Sequence, residues 1–149
     1  MNKLTIRIEN YNLSNKEFIK YLLDLKGINN VINDNLTDEY ITIEYNEDIT
    51  LDIIVKEILL YLKINMPSIS YFNKYIKESL EEYIITIGDL CCEYCLNSGI
   101  EQLLYMDGIS EVYSNFDGIN KNDVLIYVYY DKDKILEEDL TKMIYKFRK

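Results

Sequence analysis

Histidine, tryptophan and alanine are absent from this chain of 149 residues, and there is one proline, Pro67. Without histidine there is no base for a nucleophile-histidine-acid triad, no imidazole metal ligand and no ordinary side chain that titrates near neutrality. Cysteine is scarce too. Cys91, Cys92 and Cys95 are the only three, and they lie side by side, leaving none elsewhere for a long-range disulfide. A disulfide framework is therefore excluded. Positive charge is also in short supply: 16 Lys and Arg face 26 Asp and Glu, with 7 against 11 in residues 1–73 and 9 against 15 in residues 74–149. No basic face is implied, which argues against nucleic-acid backbones and anionic membranes as partners. No apolar run reaches the roughly 18 residues of a membrane span. The opening MNKLTIRIEN carries charges where a signal peptide needs an apolar stretch. Together these features predict a reduced, cytoplasmic protein without membrane insertion. The wealth of Ile, Asn, Lys and Tyr reads as AT-rich coding and lends the tyrosines little weight as a signal.

What is present is ordinary for a globular chain, 48% hydrophobic and 28% charged, long enough for one medium domain or two small ones. Residues 3–9 alternate apolar and polar, as a half-buried strand does. Ser14 with Glu17 forms a capping-box pattern before Phe18, Leu22 and Leu25 at helical spacing, and Gly27 closes that helix. Strands are predicted at Ile28–Ile32 and Tyr40–Tyr45, separated by a turn, and then a helix capped by Thr50 with Leu51, Val55, Ile58 and Leu62 on one face. A short strand, SISYF, follows Pro67, and residues 74–82 read as a connector.

From Tyr83 the same order begins again: a strand in YIITIG, a helix from Cys92 to Asp107, Gly108, strands at Ile109–Asn115 and Val124–Tyr130, and a last helix striped by Leu136, Leu140, Ile144 and Phe147. Gly27, Ile28 and Val31 overlay Gly108, Ile109 and Val112 at one constant offset, so the chain is an internal repeat. The expected fold class is α+β, as two tandem ferredoxin-like βαββαβ units, each an open antiparallel sheet with two helices on one face. The units are residues 1–73, without metal ligands, and residues 74–149. The second unit lacks its fourth strand, which would leave the strand at Tyr83–Gly88 as an open edge for residues 68–72 in another arrangement or for a second chain, as in a dimer.

Chemistry is concentrated in Gly88-Asp89-Leu90-Cys91-Cys92-Glu93-Tyr94-Cys95. Cysteines three apart, the first opening a helix, can turn both sulfurs to one point, where the helix N-terminus favours thiolate over thiol. Converging thiolates suit soft ions, Cu(I) foremost, with Zn(II), Cd(II) and Hg(II) as competitors. Residues 85–147 resemble the heavy-metal-associated domain of copper chaperones and metal-transporting P-type ATPases. The likeness rests on CxxC after the first strand, Gly108-Ile109 thirteen residues beyond Cys95, and Leu90 two before Cys92 where the family usually has methionine. The resemblance implies Cys92 and Cys95 as metal ligands, Leu90 as an apolar plug, Lys149 near the metal, and a metal-transporting ATPase or other metal acceptor as partner. Cys91 departs from the family pattern. It or Asp89 is a candidate third ligand favouring Zn(II) or Cd(II), although neighbouring side chains on extended backbone point opposite ways. The first unit has no cysteine; its loop, residues 10–14, offers no soft ligand, and the unit reads as a degenerate scaffold.

Blander and rival readings exist for each feature. Cysteine also serves as a small buried hydrophobe or a redox thiol. Thioredoxin-like chemistry would need a proline after the motif, and Pro67 precedes it. A closed structural zinc site or an iron–sulfur cluster needs four ligands. Glu137-Glu138-Asp139 reads as helix capping, Asp131-Lys132-Asp133 as a solvated turn lacking the rest of a calcium loop, and Tyr127, Tyr129 and Tyr130 as core or interface residues. No acid–base pair with a cleft suggests an enzyme. The expected function is soft-metal binding and transfer, a copper-chaperone-like or buffering role without catalytic turnover, to a partner with a basic face. The alternative is a metal-free interaction or regulatory module on the same scaffold.

Overall fold

The computed structural model describes residues 2–33, 37–65, 69–73 and 79–147. Pro67, part of the predicted connector after residue 73, and Lys149 lie outside the described residues. Among these residues seven strands and four α-helices follow in the order β1 (Asn2–Ile8), α1 (Lys16–Leu23), β2 (Ile28–Ile32), β3 (Tyr40–Tyr45), α2 (Leu51–Leu62), β4 (Ile69–Phe72), β5 (Glu81–Ile87), α3 (Glu93–Leu104), β6 (Ile109–Ser114), β7 (Val124–Tyr130) and α4 (Glu137–Thr141), then a 3-10 helix over Lys142–Phe147. The chain is thus α+β, and these seven strands form one antiparallel sheet in the order β2-β3-β1-β4-β6-β7-β5.

The strand order β2-β3-β1-β4 in the first half has its counterpart in β6-β7-β5 in the second. The two sets meet where β4 pairs with β6, Tyr71 opposite Val112. Residues 69–72 therefore pair with β1 and β6 and leave the outer edge of β5 alone. Among the described residues β5 pairs with β7 only, over seven uninterrupted positions from Glu81↔Tyr130 to Ile87↔Val124.

Burial alternates along the strands: Leu4, Ile6 and Ile8 on β1, Ile85 and Ile87 on β5, and Val124, Ile126 and Val128 on β7 are buried, their neighbours less so. One core joins that face to Phe18 and Leu22 of α1, Ile54 and Ile58 of α2, Leu96, Ile100 and Leu103 of α3, and Leu140 of α4. At about 1.5–3 kcal/mol for each such side chain taken from water, this burial dominates the stabilising side.

Local details depart from the sequence reading at three places. The cap of α1 is Asn15, not Ser14: Asn15 Oδ1 accepts the Glu17 and Phe18 amides, while the Ser14 hydroxyl donates to Asn12 and Asp38. The last helix divides, with five α-helical residues giving way to the 3-10 segment, and Leu136 is left exposed as the residue before it. Asp131 is buried in its turn, where its carboxylate accepts the Asp133 amide at 3.0 Å. The other caps agree: Thr50 Oγ1 accepts from the Ile53 amide, Asp139 from the Leu136 amide, and Gly27 and Gly108 take up φ of +99° and +102° after their helices. Only glycine holds that backbone without strain.

Candidate metal centre

The loop from Gly88 to Cys92 leaves β5 and enters α3, with its apolar anchor at Leu90. That side chain is buried, and its amide donates to the Lys121 carbonyl at 3.0 Å, tying the loop to the 116–123 segment. Cys92 is the N-cap of α3, with extended backbone (φ −171°, ψ 178°), and Cys95 lies in the first turn. An N-cap residue faces unpaired N–H groups of the first turn, which is the reason a sulfur there gains anionic character.

Cys92 Sγ and Cys95 Sγ stand 4.0 Å apart, and the three sulfurs of Cys91, Cys92 and Cys95 all lie within 4.8 Å of one another. Cys91 thus brings its sulfur to the pair despite being adjacent to Cys92. Among the described residues no acidic group, Asp89 included, joins the three sulfurs. All three cysteines are free and half-buried. For a metal–sulfur bond of ~2.3 Å, two sulfurs stand about 3.8 Å apart at a tetrahedral angle, about 4.0 Å at a trigonal one and about 4.6 Å in line. The Cys92–Cys95 separation matches the bent arrangements, which leave room for a third sulfur.

The two sulfurs of the CxxC pair differ in acidity. The Cys95 backbone N–H, followed by that of Tyr94, is directed at the Cys92 sulfur without closing a cap hydrogen bond and holds its thiol below the ordinary value. Burial, with the neighbouring sulfurs adding to it, pushes the Cys95 thiol up to about 12. Cys92 is therefore the more readily ionised sulfur of the pair and Cys95 the one that keeps its proton, so an ion meets Cys92 first and binding at Cys95 has to displace a proton.

The first half shapes the surroundings. A cleft of about 360 Å³ beside Cys92 has Asp52 and Lys56 of α2 on one wall, Glu93 of α3 on another, and Phe116 and Lys121 of the 116–123 segment on the third. Two polar contacts hold α2 on α3, Asn97 Nδ2 donating to Asp52 Oδ1 at 3.0 Å and the Leu51 amide donating to Glu101 Oε2 at 3.2 Å, and the same Glu101 oxygen accepts from the hydroxyl of Tyr45 on β3 at 2.8 Å. Glu101 therefore neutralises the N-terminus of a helix in the other half.

Asp52, Lys56, Asn97, Glu101, Phe116 and Lys121 were not singled out from sequence. Asn97 carries a faint signal as a polar residue on the apolar stripe of α3, whereas Lys56 and Glu101 look like any solvated helical charge. Tyr127, Tyr129 and Tyr130 do not line the cleft beside Cys92: Tyr127 stacks on Tyr113 with ring centroids 4.6 Å apart, the Tyr129 hydroxyl donates to Glu82, and Tyr130 is buried. Among the described residues no helix is long and apolar enough to cross a membrane. In comparisons with known proteins, no family model matches the chain and no curated protein matches it.

Proposed function

We propose that this chain binds a single soft metal ion through Cys92 and Cys95, with Cys91 as third ligand, and hands it on by thiolate exchange. The scaffold in this reading is a tandem of two ferredoxin-like units, the second resembling a heavy-metal-associated domain and the first a copy without metal ligands. One observation carries the proposal: three half-buried sulfurs within 4.8 Å of one another at the start of a helix. With no harder donor joining the sulfurs among the described residues, soft thiolates suit Cu(I) first, and the third sulfur also opens the site to Zn(II), Cd(II) or Hg(II).

Partial exposure gives an incoming thiol access, so a ligand can be replaced without unfolding the site. The formal charge of −10 favours an acceptor with a basic face, such as a metal-transporting ATPase, and transfer steered by charge slows as salt rises.

The test is titration of the reduced protein with Cu(I) against a competing chelator, repeated with Cys92→Ser and Cys95→Ser. Tight one-to-one binding that both substitutions abolish is the expected result. Binding that is weak, or that both substitutions leave intact, removes the proposal.

A second reading, a metal-free protein-interaction module, is favoured by the outer edge of β5, where a seven-residue strand has a partner on one side only among the described residues. Such an edge accepts a strand from another protein or a second copy. The same titration decides between the two, since this reading has no use for the sulfurs.

A further inference from the structure

The cleft beside Cys92 is the feature whose chemistry is not exhausted by the three sulfurs. An ion held by three thiolates leaves negative charge in excess: two charges for a monovalent ion, one for a divalent ion. That excess would sit in an acidic protein, with Glu93 in the same cleft and Asp52 across it. Uncompensated charge of this kind weakens binding, and more so where the surroundings exclude water.

Lys56 and Lys121 line the same cleft. Among the described residues neither has an acidic partner within ion-pair distance. They arrive from opposite sides. Lys56 lies one helical turn beyond Asp52 on α2, so it shares that residue's face, and the Asn97–Asp52 hydrogen bond at 3.0 Å holds this face against α3. Lys121 belongs to the segment whose backbone carbonyl accepts the Leu90 amide, within the cysteine loop itself. Both backbones are therefore fixed relative to the sulfurs, and the ammonium groups have only their own side-chain freedom to lose.

We infer that Lys56 and Lys121 are the counter-charges of the trithiolate site, and that they bias it toward a monovalent soft ion over a divalent one. The inference rests on the thiolate reading above and adds a role for the cysteine-free half, which supplies one of the two cations. Its direction follows from electrostatics. Each ammonium interacts about twice as strongly with a complex carrying two excess charges as with one carrying a single charge. The metal-free protein is common to both ions, so its protonation cancels from the ratio of affinities. A lysine that merely packs would shift both affinities alike.

The experiment measures Cu(I) and Cd(II) affinities by chelator competition at low ionic strength, for the unaltered protein, Lys56→Gln, Lys121→Gln, the double variant, and the charge-conserving Lys56→Arg/Lys121→Arg. Each neutralisation should lower the Cu(I)-to-Cd(II) affinity ratio roughly threefold and the pair roughly tenfold. The effect should fade as salt shortens the screening length toward about 8 Å. The Arg pair should keep the ratio, and thermal midpoints should stay within the range of surface substitutions. A ratio that does not move in the double variant overturns the assignment while leaving thiolate binding intact. Failure of the unaltered protein to bind either ion overturns both.

Discussion

Asn97 donates to Asp52 across the junction of the two halves, Nδ2 to Oδ1 at 3.0 Å, from a side chain that is 2% exposed. The other end of that amide, Oδ1, has no partner among the described residues, so Asp52 is what keeps the group satisfied at all. Asp52→Ala leaves a buried amide without its acceptor and should lower stability by about 1–3 kcal/mol. Asp48→Ala, on an exposed residue four positions earlier, should stay within about 0.5 kcal/mol. Urea denaturation of both variants tests the contrast; equal midpoints would show that the contact contributes nothing net.

The division of acidity between Cys92 and Cys95 sets an order of reaction. Iodoacetamide should modify Cys92 well before Cys95 in the metal-free reduced protein, because the thiolate is the nucleophile and Cys95 holds its proton up to about 12. Binding must displace that proton, so apparent metal affinity should rise with pH through the neutral range, about tenfold per unit for each proton released. Mass spectrometry after brief alkylation reads the first expectation and chelator competition at stepped pH the second. Equal labelling, or pH-independent affinity, would contradict the asymmetry.

Gly99 and Phe147 are locked together in the second half. A Cβ at residue 99 would fall under 3 Å from the Phe147 ring, which is fully buried. Gly99→Ala gains about 1 kcal/mol of helix propensity, but it drives a methyl into a filled space at about 1–3 kcal/mol. The variant should be destabilised despite the better helix former. Gly99→Ala combined with Phe147→Leu should be less destabilised than the sum of the two single changes, a non-additivity that thermal melts can read.

Tyr45 places a sign on the alkaline side. Burial first, then the carboxylate of Glu101, raises its pKa far above the ordinary 10.0. A phenol that keeps its proton when folded but loses it when unfolded contributes stability that is fully present below the unfolded value. That contribution is lost as pH rises through about 10 toward the raised folded value. Tyr71, raised by burial, acts in the same direction. Thermal midpoints should fall above pH ~10, and Tyr45→Phe, though less stable at neutral pH through loss of the 2.8 Å bond to Glu101, should show a shallower alkaline decline. An identical decline in the variant would remove Tyr45 from the account.

Local pattern carried the strands and most helix boundaries. Period-two alternation marks β1, and the glycines after α1 and α3 mark the turns, because those signals reside in neighbouring residues. Asn15 displaced Ser14 as a cap through a competition between adjacent side chains for the same amides, since Ser14 was drawn to Asn12 and Asp38. The break between α4 and the 3-10 segment is equally local in appearance, yet it accompanies the seating of Phe147 against Gly99, a contact between distant residues. The β4–β6 pairing, the fit of α2 on α3 and the walls of the cleft have no sequence signature because they depend on which surfaces meet. Cys91 illustrates the same point at short range: the strand rule turned it away from Cys92, yet its sulfur lies within 4.8 Å of the other two.

X-ray absorption at the metal edge of the loaded, reduced protein reads the ligand shell directly. Three sulfur neighbours at about 2.3 Å around one bound ion, falling to two in Cys91→Ser, are the expected result. A shell dominated by oxygen or nitrogen, or sulfur neighbours that persist when Cys92 and Cys95 are both replaced, would contradict thiolate capture at this site.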